Sequence, residues 1–252
     1  MAALAHAAPW RVARGWSGAE LERHLRGLAE LPRTAPRSVR DAEGSAWRHK
    51  FSTSVIALEP PGKPTPGGPF ERARALVERY AFSEPRIATG HFDAEQPLLG
   101  RYMLLELKPL VVHYLCGVVV GAVRDEPSAE QTVFGFRYDT LLGHIEAGWE
   151  WFLLTKAHAT GCVEFRIEAA WRPGQFPNAW SRIGFLALGR RYQRAWHRRA
   201  HERLRIMLGS RDLPPLERGH GLLHEGRPRI EALSATAAAS PLGDTNFTEL
   251  ER

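Results

Sequence analysis

The chain has 252 residues, of which 44% are apolar, and a formal net charge of +6. These are the proportions of an ordinary globular protein, with enough apolar mass for one large domain or two small ones. The longest apolar run, Val111 to Val123, is interrupted by His113, Tyr114 and small residues and falls short of the roughly eighteen residues a bilayer crossing needs, which excludes a helical span.

Met1 to Ala8 has neither the basic start nor the apolar stretch of a secretory signal, so the expected location is cytoplasmic. The positive charge is almost wholly arginine, with lysine only at Lys50, Lys63, Lys108 and Lys156. A GC-rich genome explains such a bias as readily as a polyanionic partner does. Cys116 and Cys162 sit in apolar, strand-like segments and are expected as reduced, structural thiols.

In chain order, Ser17 caps a predicted amphipathic helix through Glu20, Leu21, Leu25 and Leu28 that ends before Pro32. A polar, basic stretch follows to Ser45. Trp47 to Leu58 then reads as extended, and the breaker-rich segment Glu59 to Pro69 as a loop. Phe70, Ala73, Leu76, Val77 and Tyr80 recur at helical spacing, predicting a second helix over 69–81.

The period then shortens to two. Segments 101–110, 111–124, 131–138, 145–156 and 162–172 predict five strands, with Ala159-Thr160-Gly161 as a hairpin turn. Strands so connected form an antiparallel meander. In the last, Val163, Phe165, Ile167, Ala169 and Trp171 alternate with Glu164, Arg166, Glu168 and Arg172, which predicts a sheet with one buried and one wet face.

A long helix over 179–208 then carries Leu188, Tyr192, Trp196, Ala200, Leu204 and Met207 on one stripe, with seven arginines between Arg190 and Arg205 on the others. The expected fold is therefore α+β: a curved antiparallel sheet gripping a long C-terminal helix, with a peripheral N-terminal helix. The expected division is an N-terminal helical extension at 1–46, the main domain at 47–208 and a loosely attached tail at 209–252.

The run Val133-Phe-Gly-Phe-Arg-Tyr-Asp-Thr-Leu141, continuing through Gly143-His144-Ile145-Glu146-Ala147-Gly148, resembles the central motif of the family catalogued as domain of unknown function 1990. The resemblance extends over roughly Trp10 to Leu208. Where that family commonly reads Gly-Glu-Glu-x-Phe, this chain reads Gly148-Trp149-Glu150-Trp151-Phe152, so one of two acidic positions is replaced. The family supplies no activity to carry over. Its sheet-and-helix pattern is similar to the helix-grip superfamily of plant allergens, lipid-transfer proteins and polyketide cyclases, which implies an apolar cavity between sheet and helix holding a small apolar or amphipathic molecule.

Alternation places Tyr138 on the face of Phe134 and Phe136, and Glu150 on the face of Phe152 and Leu154. Both then point inward, where a desolvated carboxyl beside a phenol can donate a proton or fix a ligand's polar end. The plainer alternative is a strand edge at which Glu150 reaches water and Tyr138 bonds backbone. His144 and Glu146 follow the turn at 141–143 and either shape the cavity mouth or bond local backbone.

The candidate ligand-binding positions are accordingly Tyr138, Thr140, His144, Glu146 and Glu150, with no cofactor and no metal expected. His91, His113 and His144 have no metal-ligand spacing. The alternative function is a nucleic-acid or protein interaction module using the arginine-rich helix, aided by Trp196, His197 and His201. Nucleic acid is disfavoured because Tyr192 and Trp196 belong to the core stripe. No nucleophile elbow, phosphate loop or dinucleotide fingerprint occurs, and catalysis is left open.

Overall fold

The computed structural model describes residues 7–36, 46–210, 212–216 and 222–225. Its elements are β1 (Trp10–Val12), α1 (Gly18–Arg26) with a 3-10 turn to Glu30, β2 (Arg48–Leu58), α2 (Pro69–Glu78), β3 (Ala88–His91), β4 (Tyr102–Leu107), β5 (Val112–Pro127), β6 (Gln131–Thr140), β7 (Glu146–Ala157), β8 (Cys162–Pro173), α3 (Ala179–Leu208) and β9 (Leu223–Glu225). The strands make one antiparallel sheet in the order β3-β4-β5-β6-β7-β8-β2-β9, and β1 pairs with the start of β5. The meander from β4 to β8 is as expected, and the early strand β2 closes onto its far end against β8.

Two local devices join β2 to the rest. Gly161 in the β7–β8 turn adopts φ +70°, and a Cβ there would lie on the Glu59 carbonyl oxygen, so only glycine fits. The breaker-rich loop after β2 is pinned by a buried ion pair. The Lys156 ammonium bonds Glu59 Oε2 at 2.5 Å and the Lys63 carbonyl at 2.9 Å, while Glu59 also accepts from the Phe70 and Thr65 amides. Burial opposes ionisation of Glu59, but Lys156 and these amides hold its carboxyl below the usual range. The Glu59 carboxylate thereby caps α2, whose own N-cap residue is Gly68.

The inner face carries Phe134, Phe136, Phe152, Leu154, Phe165 and Ile167. Phe152 lies among the rings of Tyr80, Phe82, Phe136, Tyr138 and Trp196, with centroids 4.8 to 6.3 Å apart, the separations at which aromatic pairs attract. α3 starts at the Asn178 cap, whose side chain accepts from the Ser181 amide, and ends at Gly209 in the left-handed conformation.

Four expectations are corrected. The sheet's other face is not wet: Val133, Trp149, Trp151, Leu153 and Ala170 bury there against Trp47 and Ala35, and Leu104, Leu115, Val119 and Leu141 bury there against Leu28 and the leucines of α1. Even Glu168 is buried, bonded by Arg166. The buried stripe of α3 consists of Trp196, His197, Ala200, His201, Leu204 and Leu208, with Leu188 and Met207 exposed. Helix α2 stops at Glu78, and Tyr80 stands beyond it with φ +55°. Residues 223–225 of the predicted tail form strand β9 against β2, while 226–252 lie outside the described residues.

Candidate functional site

Between the sheet and the first half of α3 lies a cavity of about 420 Å³. β4 and β5 contribute Leu105, Leu107, Val112 and Tyr114, and α3 roofs it with Phe185, Leu188 and Tyr192. The wall is mostly apolar, and on it Lys50 of β2, Tyr138 of β6, His144 of the turn, and Glu146 and Glu150 of β7 come together, alongside Lys108, Asn178, Ser181 and Gln193. Tyr80, whose backbone is left-handed, and Trp196 also line the cavity.

The Tyr138 hydroxyl donates to Glu150 Oε2 at 2.5 Å. Burial drives both groups toward their protonated forms, pushing the Glu150 carboxyl above its ordinary range although the Lys50 ammonium and the phenol favour the anion. Glu150 Oε1 has no hydrogen-bond partner among the described residues and faces His197 Nε2, likewise unpartnered, at 4.0 Å.

Behind His197 runs a buried chain of hydrogen bonds. His197 Nδ1 bonds Ser52 Oγ at 2.7 Å, Ser52 Oγ bonds His201 Nε2 at 2.9 Å, and His201 Nδ1 bonds Ser54 Oγ at 2.9 Å. Burial holds His197 far below the usual imidazole range and brings His201 down to about 3, so both rings are neutral. A single hydroxyl cannot donate to both rings at once. The proton on Ser52 therefore fixes which nitrogen of His197 is protonated, and with it whether the Nε2 that faces Glu150 is a donor or an acceptor.

At the cavity's other polar corner, the Glu146 amide donates to His144 Nδ1 at 2.9 Å. Burial lowers His144 to about 4, so the neutral ring carries its proton on Nε2, a buried donor without a partner among the described residues. The Glu146 carboxylate accepts from the Gln193 amide on α3.

Four of the five sequence candidates, Tyr138, His144, Glu146 and Glu150, thus line one cavity. Thr140 does not. Its hydroxyl spans the amide and carbonyl of Gly148 at 2.8 and 3.0 Å and bonds the Thr34 hydroxyl at 2.8 Å, fastening the end of β6 rather than facing the cavity. Lys50, Ser52, His197 and His201 were not among the candidates. The signals for them are the alternation Lys50, Ser52, Ser54, Ile56 along β2, which puts a lysine and two serines on the face of a core isoleucine, and histidines four apart beside the core stripe of α3.

The sequence matches the family described as Domain of unknown function (DUF1990) over residues 34–203. The chain belongs to that family. The DUF1990 motif at Val133–Gly148 forms most of β6, the turn and the start of β7, and so supplies Tyr138, His144 and Glu146 to the cavity. Trp149 faces the opposite side of the sheet and is buried there, whereas Glu150 lines the cavity.

No curated protein matches the sequence. Among solved structures, the chain is similar to Ara h 8.0201 with 12% identity, covering 65% of this chain and 99% of the other at a TM-score of 0.37. It is also similar to a point mutant of norcoclaurine synthase from Thalictrum flavum in complex with a transition-state analogue, with 7% identity, 68% and 99% coverage and a TM-score of 0.35. A third neighbour is an uncharacterised protein from Rhizobium leguminosarum, with 13% identity, 65% and 97% coverage and a TM-score of 0.30.

Other candidate chemistry disperses. His91 and His113 converge on Glu106 together with Lys108, and neither lines the cavity. Among the described residues no group of three metal-ligating side chains forms. Both cysteines are free thiols, with burial raising Cys116 to about 12. Trp196, His197 and His201 point into the core, so none of them is available to stack on bases. Arg203 and Arg205 bond the carbonyls of Ala81 and Val55. No helix among the described residues is long and apolar enough to cross a membrane.

Proposed function

We propose that this protein binds a small amphipathic molecule in the cavity between the sheet and α3. The apolar body lies against Leu105, Leu107 and Phe185, and a polar end meets Tyr138, Glu150, Lys50 and His144. The observation that carries the reading is a cavity of about 420 Å³, within the size range of small-molecule sites, whose mostly apolar wall also carries Lys50, Tyr138, His144, Glu146 and Glu150.

The test is native mass spectrometry of the protein from its own host with identification of retained small molecules, followed by titration with a hydrophobic fluorescent probe and competing lipid and aromatic compounds. A stoichiometric ligand is expected. Its affinity falls about tenfold in Tyr138→Phe or Glu150→Ala, the effect of one hydrogen bond of roughly 1.4 kcal/mol. An empty protein that also fails to take up any library compound would refute the proposal.

A further inference from the structure

We infer that the rim of the cavity mouth is a docking surface for an anionic lipid bilayer. The rim is built from three segments. β1 contributes Trp10 and Val12, the tip of the β4–β5 hairpin contributes Leu110 and Val111, and the start of α3 contributes Trp180 and Ile183; all six are exposed, Leu110 to 72% and Trp180 to 80%. They form one patch, because Trp10, Leu110 and Trp180 line the same cavity, Val12 pairs with Val112, and the Ala13 amide bonds the Val111 carbonyl at 2.7 Å. The Leu110 amide donates to Tyr192 Oη at 2.8 Å, which ties the hairpin tip to the helix.

Exposed apolar patches of this kind mark interaction sites, and two features select a bilayer as the partner. The first is charge. The segments that carry the rim, residues 9–17, 108–114 and 174–196, contain no aspartate or glutamate. They bring Arg14, Arg182 and Arg191 to the surface, and Arg191 falls on the helical face of Trp180 and Ile183 by spacing. Basic residues beside inserted apolar ones are what an anionic leaflet attracts.

The second feature is the residue type. Tryptophan joins a large apolar ring to an N–H group and suits the headgroup boundary. Leu110 occupies a left-handed backbone conformation, φ +57°, which presents a leucine to solvent at a hairpin tip where a polar residue or glycine is the ordinary choice. Docked by this rim, the protein has its cavity mouth open to the lipid phase. The inference concerns the outer surface and stands whether or not the cavity's ligand is found.

The experiment is cosedimentation of the full chain with phosphatidylcholine vesicles, with and without phosphatidylglycerol. Binding is expected to be about tenfold stronger to the anionic vesicles and to weaken as salt is raised. Leu110→Glu and Trp180→Glu should each reduce it about tenfold. Ile206→Glu, changing a side chain 76% exposed near the other end of α3, should leave it unchanged. The inference is overturned if the anionic vesicles bring down no protein, or if Ile206→Glu loses as much as the rim variants. It is equally overturned if light scattering shows a dimer that the rim variants dissociate, since a second copy then covers the patch.

Discussion

Acid should unfold this protein well before its carboxylates protonate, because His144, His197 and His201 are buried as neutral rings. His144 is lowered to about 4 and His201 to about 3, with His197 also well below the ordinary value of 6.5. In the unfolded chain each takes up a proton near its ordinary value, so below that pH the unfolded state binds more protons than the native one. Stability is then complete above about pH 7 and declines as pH falls through the window between the unfolded and the folded values. Each such proton contributes a slope of about 1.4 kcal/mol per pH unit. By about pH 5 each imidazole has removed roughly 2 kcal/mol, and the three together rival the 5–15 kcal/mol that holds an ordinary domain. Glu150, whose carboxyl is raised, opposes the trend by taking up its proton in the native state.

The assay is urea denaturation at steps from about pH 8 to about pH 5, with His201→Gln as the perturbation. Glutamine can still bond Ser52 or Ser54 but does not titrate. The three histidines should contribute a loss of about 4 kcal/mol per pH unit at the steepest part of the limb, reduced by the opposing uptake at Glu150, and His201→Gln should make the limb shallower by about 1.4 kcal/mol per pH unit. A wild-type limb that stays flat from pH 7 to pH 5, or a variant with an unchanged slope, would refute the burial of neutral histidines and with it the hydrogen-bond chain behind Glu150.

Lys156→Met should cost about 3–5 kcal/mol by chemical denaturation, because Glu59 is left charged and buried, and adding Glu59→Gln should restore part of that loss. Gly161→Ala should cost about 1–3 kcal/mol, since alanine at φ +70° also meets the Glu59 carbonyl, and the melting temperature reads it directly. Glu150→Gln should gain in stability relative to the wild type as pH rises from about 4.5 through the raised native value, because only the carboxyl must ionise in a buried place; a difference independent of pH would show that Glu150 is not desolvated.

The meander, its turn at Gly161 and the extent of α3 were legible because each rests on local signals: alternation, a turn glycine, a helical stripe. The one-sided sheet was misread from β8 alone, whose Glu164, Arg166 and Glu168 look wet. β7 carried the contrary signal, since Trp149, Trp151 and Leu153 alternate with Glu150, Phe152 and Leu154, and a strand apolar on both faces is buried on both. β3 and β9, of four and three residues, are too short to show a period. Inward placement of Tyr138 and Glu150 followed from alternation, but Thr140 did not keep their company. β6 ends its pairing with β7 at Asp139 opposite Trp149, and past that point the Thr140 hydroxyl turns to the Gly148 backbone.

The site also depends on a division within α3 that composition hides. From Trp196 to Leu208 the helix packs directly on the sheet, placing Ala200 and Leu204 in the core and hydrogen-bonding its histidines to Ser52 and Ser54. From Ala179 to Ala195 it spans the cavity and has no buried residue, although Leu188 and Tyr192 continue the same stripe. A stripe predicts which face of a helix turns inward and says nothing of how far away the opposing sheet lies. On the inner face along that span lie Lys50, Tyr138, His144 and Glu150, polar groups from four chain segments, beside the apolar Leu105, Leu107 and Val112. Replacing these polar groups with packed apolar side chains should narrow the cavity and raise stability.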